Sequence, residues 1–297
     1  MITRVVRSAL PIDLGPTLAP LRHGRYDPTM RIDASGVWRA VRTPDGAATT
    51  RFSGGGHEVV LDAWGEGATW VCEHADDLVG ASDSLGGFTP ADPIVRELHR
   101  RRPGLRVARS RCVHPLLVAT VIGQRVTGIQ HARSWASVVR RFGERAPGPA
   151  GLWLAPSPHQ LAALPYYRLH PSGIEQGRAD TIRRASLVAA ALERAVDSPP
   201  VLDARLRSIS GIGPWTSALV CAGAAGDPDA VPVGDLHLPG IVCLTLSGDH
   251  RGGDDRMLEL LEPYAGHRGR VVRLCVAGGI APPRRAPRRA LVPIADL

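Results

Sequence analysis

Residues Pro115–Val126 (PLLVATVIGQRV) are apolar on nearly every face. A helix of that kind has no side to turn toward water, so it belongs at the centre of a bundle. The segments around it can supply that bundle. Asp92–Arg102 carries Ile94, Val95 and Leu98 on one side and stops at Pro103-Gly104. Ile129–Phe142 lines up Ile129, Ala132, Trp135, Val139 and Phe142. Glu175–Val196 reads as one long amphipathic helix through Ile182, Ala185, Ala189, Leu192 and Val196. Leu202–Ile209, Trp215–Ala225, Asp254–Leu261 and Arg268–Ala277 are further helical segments. No repeat of the solenoid kind runs through them.

The first third differs. Met30–Val41 and Glu58–Asp62 show short alternating apolar patterns, set off by Pro44-Asp45-Gly46 and Gly54-Gly55-Gly56 as turns. His74–Leu78, with two acids in its first turn, reads as a helix start. A small α+β domain is therefore expected over 1–88, with the Gly/Pro-rich loop 86–93 as its boundary. A helical core over 89–280 follows, then a Pro/Arg-rich tail over 281–297. A length of 297 residues suits about two domains at roughly 150 residues each.

Several function classes drop out on composition. No apolar run approaches the ~20 residues of a membrane span. The N-terminus lacks the apolar core of a secretory signal, so a cytoplasmic protein is expected. The cysteines (Cys72, Cys112, Cys221, Cys243, Cys275) are five and scattered. They read as buried thiols, not as ligands of zinc or an iron–sulfur cluster, whose spacings are short and fixed. No metal or cofactor is expected. All 36 basic residues are arginine, so a lysine nucleophile or Schiff base is unavailable. The charge is uneven. Residues 1–91 carry 8 Arg against 11 acids, and residues 92–280 carry 24 Arg against 16. A polyanion would meet the C-terminal two-thirds.

The segment Leu206-Arg-Ser-Ile-Ser-Gly-Ile-Gly-Pro-Trp-Thr216 joins two short helices through a tight turn. Its glycines allow positive φ and close backbone approach, and Pro214 suits the first position of a helix. Free N–H groups at such a turn can hold a phosphate, while Ile212 would plug the turn into the core. Asp235 follows 19 residues after Thr216, in Val233-Gly-Asp-Leu-His-Leu238. One helix and one loop would return its carboxylate to the turn. A fixed anion beside a bound DNA backbone can stabilise the oxocarbenium-like sugar left when a base departs, or polarise a water. His237 reads as a helix-start residue, His114 and His131 as structural, and Asp249, Asp254 and Asp255 as loop and helix-start acids.

LRSISGIGPWTSALV followed by VPVGDLHL resembles the helix-hairpin-helix DNA glycosylase superfamily. RPGLR (102–106), LLVATVIGQRVT (116–127) and EQGRADTIRRASLVAAAL (175–192) resemble its AlkA-type, 3-methyladenine glycosylase II branch. The likeness implies a mainly α fold, a two-lobed helical bundle with the helix-hairpin-helix motif, preceded by a small α+β antiparallel-sheet domain. It implies that Asp235 is catalytic and that Gly211, Ile212, Gly213 and Thr216 bind a DNA phosphate. A monovalent cation on the hairpin carbonyls is a further implication. Gln124 and Arg125 correspond to the wedge that fills the gap of a flipped nucleotide. Trp215, Leu219 and Tyr264 correspond to the base pocket, with Tyr166 and Tyr167 as further aromatics. Without lysine, the chain is expected to be a monomeric, monofunctional glycosylase that releases alkylated bases from double-stranded DNA. The alternatives are a glycosylase for a deaminated, oxidised or mismatched base, or a non-catalytic DNA-binding protein.

Overall fold

The computed structural model describes residues 1–281; apart from Ala281, the expected tail over 281–297 lies outside them. Four strands form one antiparallel sheet in the order β1-β4-β3-β2: β1 (Ile2–Ile12), β2 (Met30–Asp33), β3 (Gly36–Thr43) and β4 (Gly46–Trp64). Alternation along β3 divides its two faces. Val37 and Val41 join Phe52, Val59 and Leu61 in a core covered by α1 (Leu14–Leu18), α2 (Ala68–Glu73) and α3 (Ala75–Val79). Trp38 and Ala40 point the other way, onto Ala150, Leu152 and Leu154 beside a two-stranded hairpin, β5 (Glu144–Arg145) and β6 (Trp153–Leu154).

The remainder is helical and two-lobed. α4 (Pro93–Arg101) is capped by Asp92, whose carboxylate accepts from the Ile94 and Val95 N–H groups. After it the chain crosses to the larger lobe. There α5 (Val113–Ile122) is buried at every position but Pro115. Around it stand α6 (Gly128–Phe142), α7 (Pro158–Ala163), α8 (Tyr166–Leu169), α9 (Gln176–Leu187), α10 (Ala189–Glu193), α11 (Pro199–Arg207) and α12 (Pro214–Val220). Trp135, Ile182, Leu202, Leu206 and Ile212 are buried with α5 in this core. The smaller lobe packs α4 against α13 (Leu238–Ser247), α14 (Asp254–Leu261) and α15 (Arg268–Gly278) through Val95, Leu98, Val242, Met257, Leu261 and Leu274.

Two buried polar clusters fasten the parts. Asp27 accepts from the His23 and Thr29 N–H groups, the Thr29 hydroxyl and the Trp135 indole N–H at 2.7–2.9 Å. It thereby ties the segment before β2 to α6. Arg270 of α15 makes a two-pronged pair with Asp83, both side chains almost wholly buried.

The sequence reading needs four corrections. β1 was not foreseen: only Val6 and Ile12 are buried along it, and its register shifts between Arg7 and Ile12, so alternation is weak. Gly54-Gly55-Gly56 is not a turn between strands but lies inside the 19-residue β4, all three at positive φ. The expected helix over Glu175–Val196 breaks at Val188 (φ −109°, ψ 11°) into α9 and α10. Just before the break, the Ser186 hydroxyl donates to the Ile182 carbonyl, a back-bond that bends helices. α13 follows His237, as its reading as a helix-start residue required, but the apolar run Leu238–Ser247 was not counted among the helices.

Because four donors converge on Asp27, Asp27→Ala should leave them unpaired in the interior. A loss on the order of 3 kcal/mol in urea unfolding is expected.

Candidate functional site

The hairpin between α11 and α12 is shaped by one glycine and left open by another. Gly211 has φ +97°, and a Cβ there would lie 2.1 Å from the Thr181 hydroxyl of α9. Gly213 is extended (φ −105°), and a Cβ there would meet nothing within 4 Å. The turn thus backs onto α9 at Gly211 and faces open space at Gly213. Pro214 occupies the first turn of α12, and Ile212 is buried in the larger core, both as anticipated. α12 widens into a single π turn, Cys221–Ala225, before Gly226 ends it in the left-handed region.

The chain then returns through Asp227–Val233 and turns at Gly234 (φ +90°), whose N–H donates to the Asp254 carboxylate. Asp235 comes next, half-buried. Its Oδ1 accepts from the His237 and Leu238 N–H groups at 2.8 and 3.0 Å, capping the start of α13. Its Oδ2 accepts from the Trp215 indole N–H at 2.9 Å. Trp215 is the second residue past Gly213, so the carboxylate lies against the hairpin, where the spacing placed it. Three donors hold its orientation.

Trp215 also lines a cleft of about 640 Å³ between the lobes, with Leu116, Leu219, Leu238, Val272 and Val276. The segment ahead of β2 closes one side with Arg22 and His23. Burial brings the His23 imidazole down to about 4, against the pull of Asp27, so it is neutral at pH 7. Arg273, also in the wall, is lowered to about 10 by burial and donates to the Pro16 and Thr17 carbonyls. Burial raises the Asp227 carboxyl in the same wall.

Several anticipated roles need revision. Thr216 is buried, and its hydroxyl accepts from Gln124 Nε2 at 2.9 Å, so it faces inward instead of toward a phosphate. The same Gln124 amide donates to the Gly211 carbonyl at 3.0 Å. Gln124 is therefore a strut between the end of α5 and the hairpin, not a free wedge. Arg125 beside it is exposed and held at φ +57°, a left-handed backbone unusual for arginine. Tyr264 is absent from the cleft wall and buried in the smaller core, its ring near Asp92. Tyr166 packs on the larger core, and Tyr167 is exposed. The Ile209, Ser210 and Gly211 carbonyls already accept from Ile212 N–H, Arg184 and Gln124. Sequence reasoning missed Thr181 and Arg184 behind the hairpin and Arg22 and His23 in the cleft. They come from segments far from the motif, and nothing in their local pattern marks them.

No protein-family model matches the chain. It is 27% identical over 237 residues to a probable bifunctional transcriptional activator/DNA repair enzyme AlkA of Mycobacterium tuberculosis, covering 75% of this chain and 44% of that protein. It is 29% identical over 134 residues to a putative DNA-3-methyladenine glycosylase, YfjP, of Bacillus subtilis, covering 42% of this chain and 46% of that one. The chain thus spans less than half the length of these curated relatives. Its fold is that of a 3-methyladenine DNA-glycosylase from Archaeoglobus fulgidus, with a TM-score of 0.76 over 92% of this chain and 97% of that one at 18% identity. In sequence the chain is similar to these AlkA and YfjP proteins, and in fold to the Archaeoglobus glycosylase.

The two glycines of the turn should separate on substitution. Gly211→Ala should lower stability by about 1–3 kcal/mol, through strain and the clash with Thr181. Gly213→Ala should melt within a degree or two of the parent yet bind duplex DNA more weakly in a titration at fixed salt.

Proposed function

We propose that the chain is a monofunctional DNA glycosylase that hydrolyses the N-glycosidic bond of an alkylated, 3-methyladenine-like base flipped out of duplex DNA. The observation that carries this reading is the Asp235 carboxylate, pinned by Trp215 and the start of α13 beside an apolar cleft large enough for a base. The names of the two curated relatives point to the same chemistry.

The hairpin amides near Gly213 and nearby arginines grip the backbone. Arg125, alone at the exposed tip after α5, enters the duplex as the wedge. Flipping the nucleotide costs a few kcal/mol, less for a weakly paired lesion. The base enters the cleft against the face of Trp215, which favours a cationic base by about 0.5–2 kcal/mol. The C1′–N bond then breaks, and its electron pair leaves with the base, neutralising an alkylated purine's positive charge. Positive charge develops at C1′, where Asp235 stabilises it in a site shielded from water. A water adds to C1′ and gives up its proton, leaving an abasic site. With no lysine in the chain, strand cleavage through a lysine Schiff base has no nucleophile. The enzyme acts as a monomer in the cytoplasm, on the nucleoid, with residues 1–88 as a separate domain ahead of the helical core.

One feature favours a second reading. The cleft wall has a single tryptophan and no tyrosine or phenylalanine, and includes Arg22, Arg102 and Arg273. Such a wall also suits an uncharged lesion, such as a deaminated or oxidised base.

Asp235→Asn should fold normally and lose base release from methylated duplex DNA by about 100-fold or more; unchanged activity would refute the assignment. Borohydride should trap no covalent DNA adduct with the parent protein. Mass analysis of bases freed from DNA carrying many lesions decides between the two readings. Release of 3-methyladenine supports the first, and release confined to hypoxanthine or 8-oxoguanine supports the second.

A further inference from the structure

A second cavity, of about 570 Å³, lies between the sheet and the larger helical lobe, away from the hairpin. It is comparable in size to pockets that hold small molecules. Its wall is mostly apolar, and includes Val41, Trp70, Cys112, Trp135 and Val196. Into it projects Arg39 of β3. The alternation that sends Val37 and Val41 into the core puts Arg39 between them on the same row of the sheet. Unlike those valines Arg39 is half-buried, its guanidinium opening into the cavity, where a charge is costly unless paired. Here the guanidinium makes no hydrogen bond or ion pair with any described residue, and burial lowers its affinity for its proton.

The surrounding charges favour an anion there. Arg42 and Arg111 also line the cavity, but their charges are met elsewhere, by Glu144 and by Asp77 and Asp197. The one carboxylate in the wall, Glu193, accepts from the Val113 and His114 N–H groups as the cap of α5, and burial raises it toward neutrality. Asp27, whose charge acts on Arg39 without a hydrogen bond to it, has its oxygens filled by four donors. The His114 imidazole, lowered to about 4 by burial, lies on the Ser186 hydroxyl and is neutral. The Cys112 thiol, pushed up to about 12, stays protonated and adds neither charge nor reactivity.

We propose that this cavity is a binding site for a small monocarboxylate with an apolar body, aromatic or short aliphatic, held by a two-pronged ion pair to Arg39. The planar guanidinium matches a carboxylate's two oxygens. The tryptophans and valine side chains take the body. A ligand there touches both the sheet and the helical lobe, so its binding raises the stability of the whole.

The test uses the full chain. Benzoate and hexanoate are titrated while the melting temperature is followed, with acetate, inorganic phosphate and hexylamine at equal ionic strength as controls. Benzoate or hexanoate should raise the melting temperature saturably, and the controls should not. Arg39→Met should melt no lower than the parent without ligand, because it replaces an unpaired, half-buried charge with an apolar side chain. It should lose the carboxylate response at least tenfold and keep base release unchanged. Crystals grown with 4-bromobenzoate provide a check that needs no variant: the bromine's anomalous signal should appear in this cavity, with the carboxylate on Arg39. The proposal is overturned by equal shifts from phosphate or hexylamine, by no shift from either carboxylate, by an unaltered response in Arg39→Met, or by bromine found only elsewhere.

Discussion

The hydrogen bond from the Trp215 indole to Asp235 joins the two halves of the site. Trp215 belongs to the helix that leaves the hairpin, and Asp235 opens the helix that enters the smaller lobe. That contact, with the two amides of α13 on the other oxygen, sets a carboxylate against Trp215 and Leu238 of the cleft wall without using its neighbours' side-chain charges. The rest of the architecture keeps those two helix starts side by side. Ile212 roots the hairpin in the larger core, Gly234 makes the turn into Asp235, and Asp254 steadies that turn from α14.

Hydrophobic pattern and turn chemistry made much of this readable in the sequence. The all-round apolarity of α5 announced a buried central helix, and α5 is buried at every position but Pro115. Pro214 and the two glycines announced a hairpin, and the 19-residue spacing announced the return of Asp235. What stayed hidden depends on tertiary contact. Val5 and Val6 side by side, with a register shift beyond them, mask β1. The break at Val188 depends on local bonds that periodicity does not report. Tyr264 is aromatic, as a base pocket would use, yet its neighbours in the smaller core claim it.

The cleft and the second cavity differ in how their charges are satisfied. In the cleft wall, Arg273 donates to two backbone carbonyls, so its charge is spread into the fold. In the cavity, the Arg39 guanidinium makes no hydrogen bond to another of the described residues. A strand places side chains by alternation alone, so position 39 faces inward whatever residue stands there. Selection for stability would favour an apolar side chain at that position. An arginine there is the kind of local inconsistency that marks a site.

Gln124 has a mechanical consequence. One amide group joins the last turn of the central helix to both the carbonyl of Gly211 and the hydroxyl of Thr216. The residue after it, Arg125, is the exposed tip facing the solvent. A force on the hairpin is passed through that strut to the tip. On the proposed reading, clasping the backbone at the hairpin and inserting Arg125 into the base stack are then one coupled movement.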